Sequence, residues 1–82
     1  LYLLDDHALF REGLLRLLQT DEDFHILGAS GEWRTAVRRI AELAPDILIL
    51  DFDLGDATAV AAVAELKQLN FKGHILIVTA GL

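Results

Sequence analysis

The sequence predicts an α/β fold built on a doubly wound, parallel sheet. Four short apolar runs, "LYLL", "FHILGA", "DILIL" and "HILIVT", alternate with three segments of helical character. The run from 47 to 50 is aliphatic at every position, which is typical of a strand buried on both faces. Strict alternation of strands and helices implies parallel strands, right-handed crossovers and helices on both faces of the sheet.

The first helix is predicted over 8–20, with Asp6 as a candidate N-cap. Its apolar residues recur at the spacing of one helical face, which is expected to point inward; these residues are Phe10, Leu14, Leu17 and Leu18. The histidine before this helix, His7, is interpreted as packing at the helix start and not as a ligand.

The second helix is expected to begin with Ser30 as its cap and to end before Pro45, which cannot continue a helix. Its predicted inward residues are Val37, Ile40, Ala41 and Ala44. The third helix, "ATAVAAVAELKQL", is expected to be capped by Asp56. Its predicted inner side consists of Val60, Val63, Ala64 and Leu66.

Composition limits the function classes. The 82 residues make one domain at most, and they include no cysteine, so neither disulfides nor thiolate metal sites are possible. A net charge of −6 argues against direct nucleic-acid binding by this segment. No apolar run approaches the roughly 18 residues needed to cross a membrane. We therefore expect a cytoplasmic protein with no membrane association.

Acidic residues close two of the predicted strands. Asp5 and Asp6 end the first, and Asp51 ends the third, so all three are expected near the switch point of a doubly wound sheet. Two like charges about 4 Å apart repel by roughly 4 kcal/mol at an effective dielectric near 20, which a bound cation would offset. An all-oxygen cluster suits Mg²⁺. Single aspartates at strand ends are more often caps or turn residues, and Thr79, which ends the fourth strand, is a candidate second participant.

Three segments, "LLDDHALFREGLLRLL", "PDILILDFDLGD" and "HILIVTA", occur in an order that resembles the receiver domain of bacterial two-component response regulators. The "DDHALFREGL" opening is similar to the NarL/LuxR-like branch. The resemblance implies a flavodoxin-like receiver fold with strand order 2-1-3-4, and it covers residues 1–82. It also implies a C-terminal helix-turn-helix output domain in the full-length protein, through which alone the protein would contact DNA.

Carried over by position, the resemblance assigns roles to five residues. Asp51 matches the phosphoacceptor, which receives a phosphoryl group from a sensor histidine kinase. Asp5 and Asp6 match the acidic pair that holds Mg²⁺ together with Asp51. The backbone carbonyl of Asp53 would complete the coordination, and Thr79 matches the switch hydroxyl. The implied function is a phosphorylation-activated transcription switch, not an enzyme in the ordinary sense.

Two alternatives stay open from the residues. The "DFD" at 51–53 also satisfies the aspartate-any-aspartate motif of haloacid-dehalogenase phosphotransferases, although that assignment gives Asp5 and Asp6 no role. The chain could also be a phosphorylation-independent receiver used for dimerisation or docking. Gly55 and Asp56 stand where receivers usually have Pro-Gly, which favours keeping this second hypothesis.

The receiver resemblance also implies parts that these 82 residues do not include. A fourth helix, a fifth strand with a phosphoryl-binding Lys, and a fifth helix would be expected after Leu82. Without the fifth strand, the apolar edge of the fourth strand is exposed, and such edges recruit other chains. We therefore expect either that the remainder exists but is disordered or cleaved, or that a homodimer or partner chain covers this edge.

Overall fold

The computed structural model describes residues 1–54 and 58–78. These residues form four strands and three helices in strict alternation, as predicted. In chain order the elements are β1 (Tyr2–Leu4), α1 (Ala8–Gln19), β2 (Gly28–Ser30), α2 (Trp33–Leu43), β3 (Ile47–Asp51), α3 (Ala59–Gln68) and β4 (His74–Val78).

The four strands make one parallel sheet in the order β2-β1-β3-β4, which confirms the predicted order. The register pairs Leu4 of β1 with Ser30 of β2 and with Leu50 of β3. The carboxyl ends of the central strands therefore lie side by side. Whatever follows Leu4 and Leu50 in the chain must emerge at the same edge of the sheet.

The core lies between one face of the sheet and the helices α2 and α3. Its buried residues are Tyr2, Leu4, Ala36, Val37, Ile40, Leu48, Leu50, Leu54, Ala59, Ala62 and Leu66. Successive side chains alternate between the two faces of a strand, so Leu3 and Ile49 point to the opposite face. Helix α1 contacts β1 and adds no residue to this core cluster, which places it on the Leu3 side.

Helix α1 is more exposed than its apolar pattern predicts. None of its residues is buried, Leu17 is largely exposed, and Phe10 is more than a third exposed. Leu14 and Leu18 are half-buried, so the predicted inward face is only partly correct. The physical reason is that, among residues 1–54 and 58–78, no second helix lies beside α1 to cover the rest of its apolar stripe.

The helix starts also differ from the sequence-based expectation. Asp6 does not cap α1, because the N-cap position belongs to His7, whose side chain makes no capping hydrogen bond. Ser30 is the last residue of β2, which begins only at Gly28 and not at Phe24. The cap of α2 is Glu32, whose Oε1 accepts a hydrogen bond from the Arg34 backbone N–H at 3.1 Å.

Helix α2 ends as its sequence predicts, whereas the buried face of α3 differs from the prediction. Ala44 adopts the left-handed conformation (φ 50°) just after α2, and it is exposed and not inward. In α3 the buried residues are Ala59, Ala62 and Leu66. Val60 and Ala64 are exposed, so the predicted inner side of α3 was wrong at those two positions. The predicted cap Asp56 lies outside the described residues.

Strand β4 is an edge strand of the described sheet, and two of its large side chains, Leu76 and Ile77, are about half exposed. In the described part of the chain, no helix has both the length and the apolar character required to span a lipid bilayer.

Candidate functional site

Two strands deliver carboxylates to one edge of the sheet. Because Leu4 pairs with Leu50, the residues that follow, Asp5 and Asp51, emerge side by side. Both are buried, with exposed fractions of 0% and 1%. The backbone N–H of Asp5 donates to the Ser30 carbonyl at 3.0 Å, which fixes Asp5 as an extension of β1. Asp6 is partly exposed beside them.

The ring of His7 lies among these carboxylates. Its Nδ1 is 3.1 Å from Asp6 Oδ1, 3.2 Å from Asp51 Oδ2 and 3.4 Å from Asp5 Oδ1. Only the contact with Asp51 also has hydrogen-bond geometry. The backbone N–H of His7 donates to Asp5 Oδ1 at 2.8 Å, which holds the residue close to the acid pair. The interpretation of His7 as helix-start packing was therefore wrong.

The electrostatics of the cluster favour positive charge. Three carboxylates converge, two of them buried, so their negative charges add within a small volume that water screens poorly. The hydrogen bond to Asp51 raises the pKa of the half-exposed His7 imidazole, and the charge of Asp6 adds to the effect, whereas desolvation opposes it. The site stabilises a cation placed at its centre.

Two oxygens of the cluster indicate room for a further ligand. Asp5 Oδ2 and Asp6 Oδ1 are shielded from water and lack a hydrogen-bond partner. Buried polar atoms are normally paired, and an unpaired one requires an explanation such as an ion. The donor atoms of Asp5, Asp6, His7 and Asp51 all lie within 4.8 Å of one another. The residues present therefore fit a divalent cation with oxygen ligands.

Arg11 supports this edge of the sheet from α1. Its Nη1 donates to the backbone carbonyl of Asp5. A Cβ at residue 31 would collide with the same guanidinium, so Gly31 leaves the space that Arg11 occupies. Sequence reasoning missed both Arg11 and His7. The sequence did offer a signal for both residues. His7 follows the acid pair directly, and Arg11 comes one helical turn after His7.

Of the predicted site residues, the structure brings together Asp5, Asp6 and Asp51. Asp53 lies in the segment after β3 with an exposed side chain, and it forms an isolated antiparallel bridge with Thr58. Thr79 lies outside the described residues. The preceding residue, Val78, pairs with Asp51, and its carbonyl accepts a hydrogen bond from Phe52 N–H at 2.8 Å.

Comparison with known families gives a match over nearly the whole chain. The sequence profile described as the response regulator receiver domain matches residues 1–81. The chain belongs to the response regulator receiver domain family. The haloacid-dehalogenase alternative is not favoured, because the receiver profile includes the acid pair that the other motif leaves without a role.

Curated relatives of this receiver domain are transcription regulators by name. "Transcriptional regulatory protein YdfI" of Bacillus subtilis (strain 168) is 31% identical over 77 residues, which is 94% of this chain and 36% of YdfI. "DNA-binding transcriptional activator EvgA" of Escherichia coli (strain K12) is 33% identical over 78 residues, or 95% of this chain and 38% of EvgA. The receiver domain thus spans little more than a third of the length of either relative.

Solved structures show the same fold and the same branch. The signal receiver domain of the putative response regulator NarL from Mycobacterium tuberculosis superposes with a TM-score of 0.86 at 25% identity, covering 99% of this chain and 65% of that one. A LuxR-family two-component response regulator from Aurantimonas sp. SI85-9A1 gives 0.86 at 28% identity, covering 99% and 58%. The receiver domain described here therefore resembles NarL and LuxR-family regulators in fold and in sequence.

Proposed function

We propose that this receiver domain is a phosphorylation-activated switch, with Asp51 as the phosphoacceptor. The observation that carries the proposal is the meeting of buried Asp51, at the end of β3, with Asp5 and Asp6 from the end of β1. A carboxylate is a weak nucleophile, and the incoming phosphoryl group is anionic. An acidic pocket that favours a cation supplies the screening that both partners need.

The proposed reaction transfers a phosphoryl group from a phosphohistidine of a sensor kinase. An oxygen of Asp51 attacks phosphorus while the P–N bond breaks, and the departing imidazole nitrogen keeps the electron pair and takes up a proton. Asp5, Asp6 and Asp51 would hold Mg²⁺ through their carboxylates, and Asp53 would add its backbone carbonyl. When bound, the ion would neutralise the oxygens of the phosphoryl group. The protein takes part in its own phosphorylation and turns over no separate substrate.

The proposed output is a shift between two conformations. The hydroxyl of Thr79 would turn toward the phosphoryl group, and the pairing of Val78 with Asp51 supports a position near it. We propose that the full-length protein is a cytoplasmic transcription regulator in which a separate helix-turn-helix domain contacts DNA. The names of YdfI, a transcriptional regulatory protein, and of EvgA, a DNA-binding transcriptional activator, support the role in transcription. We further propose that a second copy or another partner chain covers the edge of β4.

The test treats the protein, in the presence of Mg²⁺, with acetyl phosphate, which donates a phosphoryl group, or with beryllofluoride, which mimics the phosphorylated state. With acetyl phosphate, we expect intact-mass spectrometry to show the gain of one phosphoryl group by the wild-type protein and none by Asp51→Asn. With beryllofluoride, we expect a spectral change in the wild-type protein alone. The matched control is Asp46→Asn, which makes the same change at an exposed residue before the opposite end of β3. This control should be phosphorylated as the wild type is.

The proposal fails if neither reagent changes mass or spectra and Asp51→Asn behaves as wild type. That outcome would favour the alternative of a phosphorylation-independent receiver that serves as a dimerisation or docking platform. A mass gain that persists in Asp51→Asn would place the phosphoryl group on another residue and would also reject the assignment.

A further inference from the structure

The geometry of His7 goes beyond what a hydrogen bond to one carboxylate requires. Its Nδ1 lies 3.1 to 3.4 Å from one oxygen each of Asp5, Asp6 and Asp51. A ring nitrogen carries at most one proton, so it can donate to only one of these oxygens well. Only the contact with Asp51 has that geometry, and Asp6 Oδ1 is left unpaired.

The same distances match neighbouring ligands of one metal ion. In an octahedral site with bonds of about 2.1 Å, adjacent ligand atoms are separated by about 3 Å, the bond length times the square root of two. The three nitrogen-to-oxygen distances at His7 lie just above this value. The completely buried Asp5 adds a carboxylate oxygen, Oδ2, that lacks a hydrogen-bond partner. Nδ1 therefore lies, relative to each of the three carboxylates, at the distance expected of a neighbouring ligand of the same ion.

The backbone at the start of α1 explains why the ring can face the cluster. His7 occupies the N-cap position in an extended conformation, with φ −92° and ψ 99°, and its side chain does not cap the helix. Its own N–H is bonded to Asp5 Oδ1 at 2.8 Å. The imidazole therefore does not cap α1, and half of the side chain remains open to solvent.

We propose that His7 is a metal ligand through Nδ1, so that the cation site combines three carboxylates with one imidazole. This inference rests on the cation site of the proposed function and deepens it. Mg²⁺ prefers oxygen ligands and loses its bound water reluctantly, whereas imidazole is a suitable ligand for the first-row transition ions. The protein accordingly selects Mn²⁺ and its first-row neighbours over Mg²⁺ more strongly than an all-oxygen site does.

The test uses Mn²⁺ as its own spectroscopic probe. Electron spin-echo envelope modulation of Mn²⁺ bound to the wild-type protein is expected to show one directly coordinated imidazole nitrogen. His7→Gln should lose this signal and bind Mn²⁺ roughly tenfold or more weakly, with a smaller change for Mg²⁺. His25→Gln and His74→Gln are matched controls, since these exposed histidines lie outside the cluster, and both should retain the signal.

Two outcomes would overturn the assignment. One is bound Mn²⁺ with no nitrogen coupling in the wild-type protein, a measurement that needs no variant to fold. The other is tighter binding of both ions by His7→Gln, which would mean that the ring competes with the ion. Phosphorylation distinguishes this failure from that of the proposed function. If the wild-type protein gains a phosphoryl group with Mg²⁺ while its bound Mn²⁺ shows no nitrogen coupling, only the ligand assignment is wrong.

Discussion

The ring nitrogen Nδ1 of His7 lies 3.2 Å from Oδ2 of Asp51, although 44 positions separate the two residues in the chain. The contact joins the loop after β1 to the end of β3, and it links an ionisable base to a buried acid. Because Asp51 accepts this hydrogen bond, it raises the pKa of His7, and the nearby charge of Asp6 raises it further.

In the metal-free protein, we expect His7 to titrate above the usual imidazole value of about 6.5. A raised pKa means that the folded state binds the proton more tightly than the unfolded chain. The resulting stabilisation is therefore complete below about 6.5 and is lost as pH rises through the higher pKa of the folded state. NMR titration of the His7 ring measures this pKa directly. Asp51→Asn should lower the pKa of His7, and an unchanged value would contradict the hydrogen-bond explanation.

Divalent cations should stabilise the fold through the acid cluster. At a concentration one hundred times its dissociation constant, an ion that binds only the folded state adds about 2.7 kcal/mol to the free energy of unfolding. We expect urea denaturation with Mg²⁺ or Mn²⁺ to show this gain in the wild-type protein and little of it in Asp5→Asn. The control Asp46→Asn, whose carboxylate lies far from the cluster, should keep the full gain. An equal gain in both variants would exclude the cluster as the binding site.

Gly73 should tolerate no larger residue. A Cβ at this position would collide with the Pro45 carbonyl oxygen and approach that of Asp46 to 3.1 Å, and these are backbone atoms that cannot rotate away. Gly73→Ala is expected to lower the free energy of unfolding by about 1–3 kcal/mol. At Gly13, within α1, an added methyl meets no atom within 4 Å, so Gly13→Ala should stabilise by about 0.5–1 kcal/mol. The contrast would be refuted if both substitutions shifted the midpoint of urea denaturation in the same direction.

Arg11 should stabilise the loop that carries the acid pair. Its side chain is half-buried and donates to the Asp5 carbonyl, so Arg11→Met leaves that oxygen without this partner. We expect a loss of about 1 kcal/mol in the free energy of unfolding and weaker binding of divalent ions, measured by calorimetry. Arg38→Met, on the exposed side of α2, is the control and should change neither quantity much. An unchanged ion affinity in Arg11→Met would show that Arg11 does not position Asp5.

The sheet and the acid pair could be predicted because each depends on a strong local signal. The aliphatic run from Ile47 to Leu50 leaves little choice but a buried strand, and strict alternation with helices fixes parallel order. Once β1 and β3 are neighbours, the acids that follow them must meet. The prediction of Asp5, Asp6 and Asp51 at one site therefore needed only the ends of two strands.

The helix faces and the role of His7 could not be predicted in the same way. Helix α3 has Ala or Val at each of its first six positions, so its periodicity does not select one inward face. Its burial is decided by which side meets the sheet, and Val60 turns outward. Whether a histidine beside two acids packs against a helix or faces them depends on a few backbone torsions. Local sequence does not specify those torsions, so the contact between His7 and Asp51 could be found only in the three-dimensional structure.

The exposed side of β4, an edge strand of the described sheet, has a consequence for handling the protein. The segment "HILIV" is short, uninterrupted by proline and free of acidic or lysine gatekeepers, and it presents half-exposed Leu76 and Ile77. Such segments stack into cross-β fibrils once their backbone groups find identical copies. Concentrated stocks of the protein should therefore form cross-β aggregates, and dilution, or a lysine introduced into the strand, should suppress their nucleation.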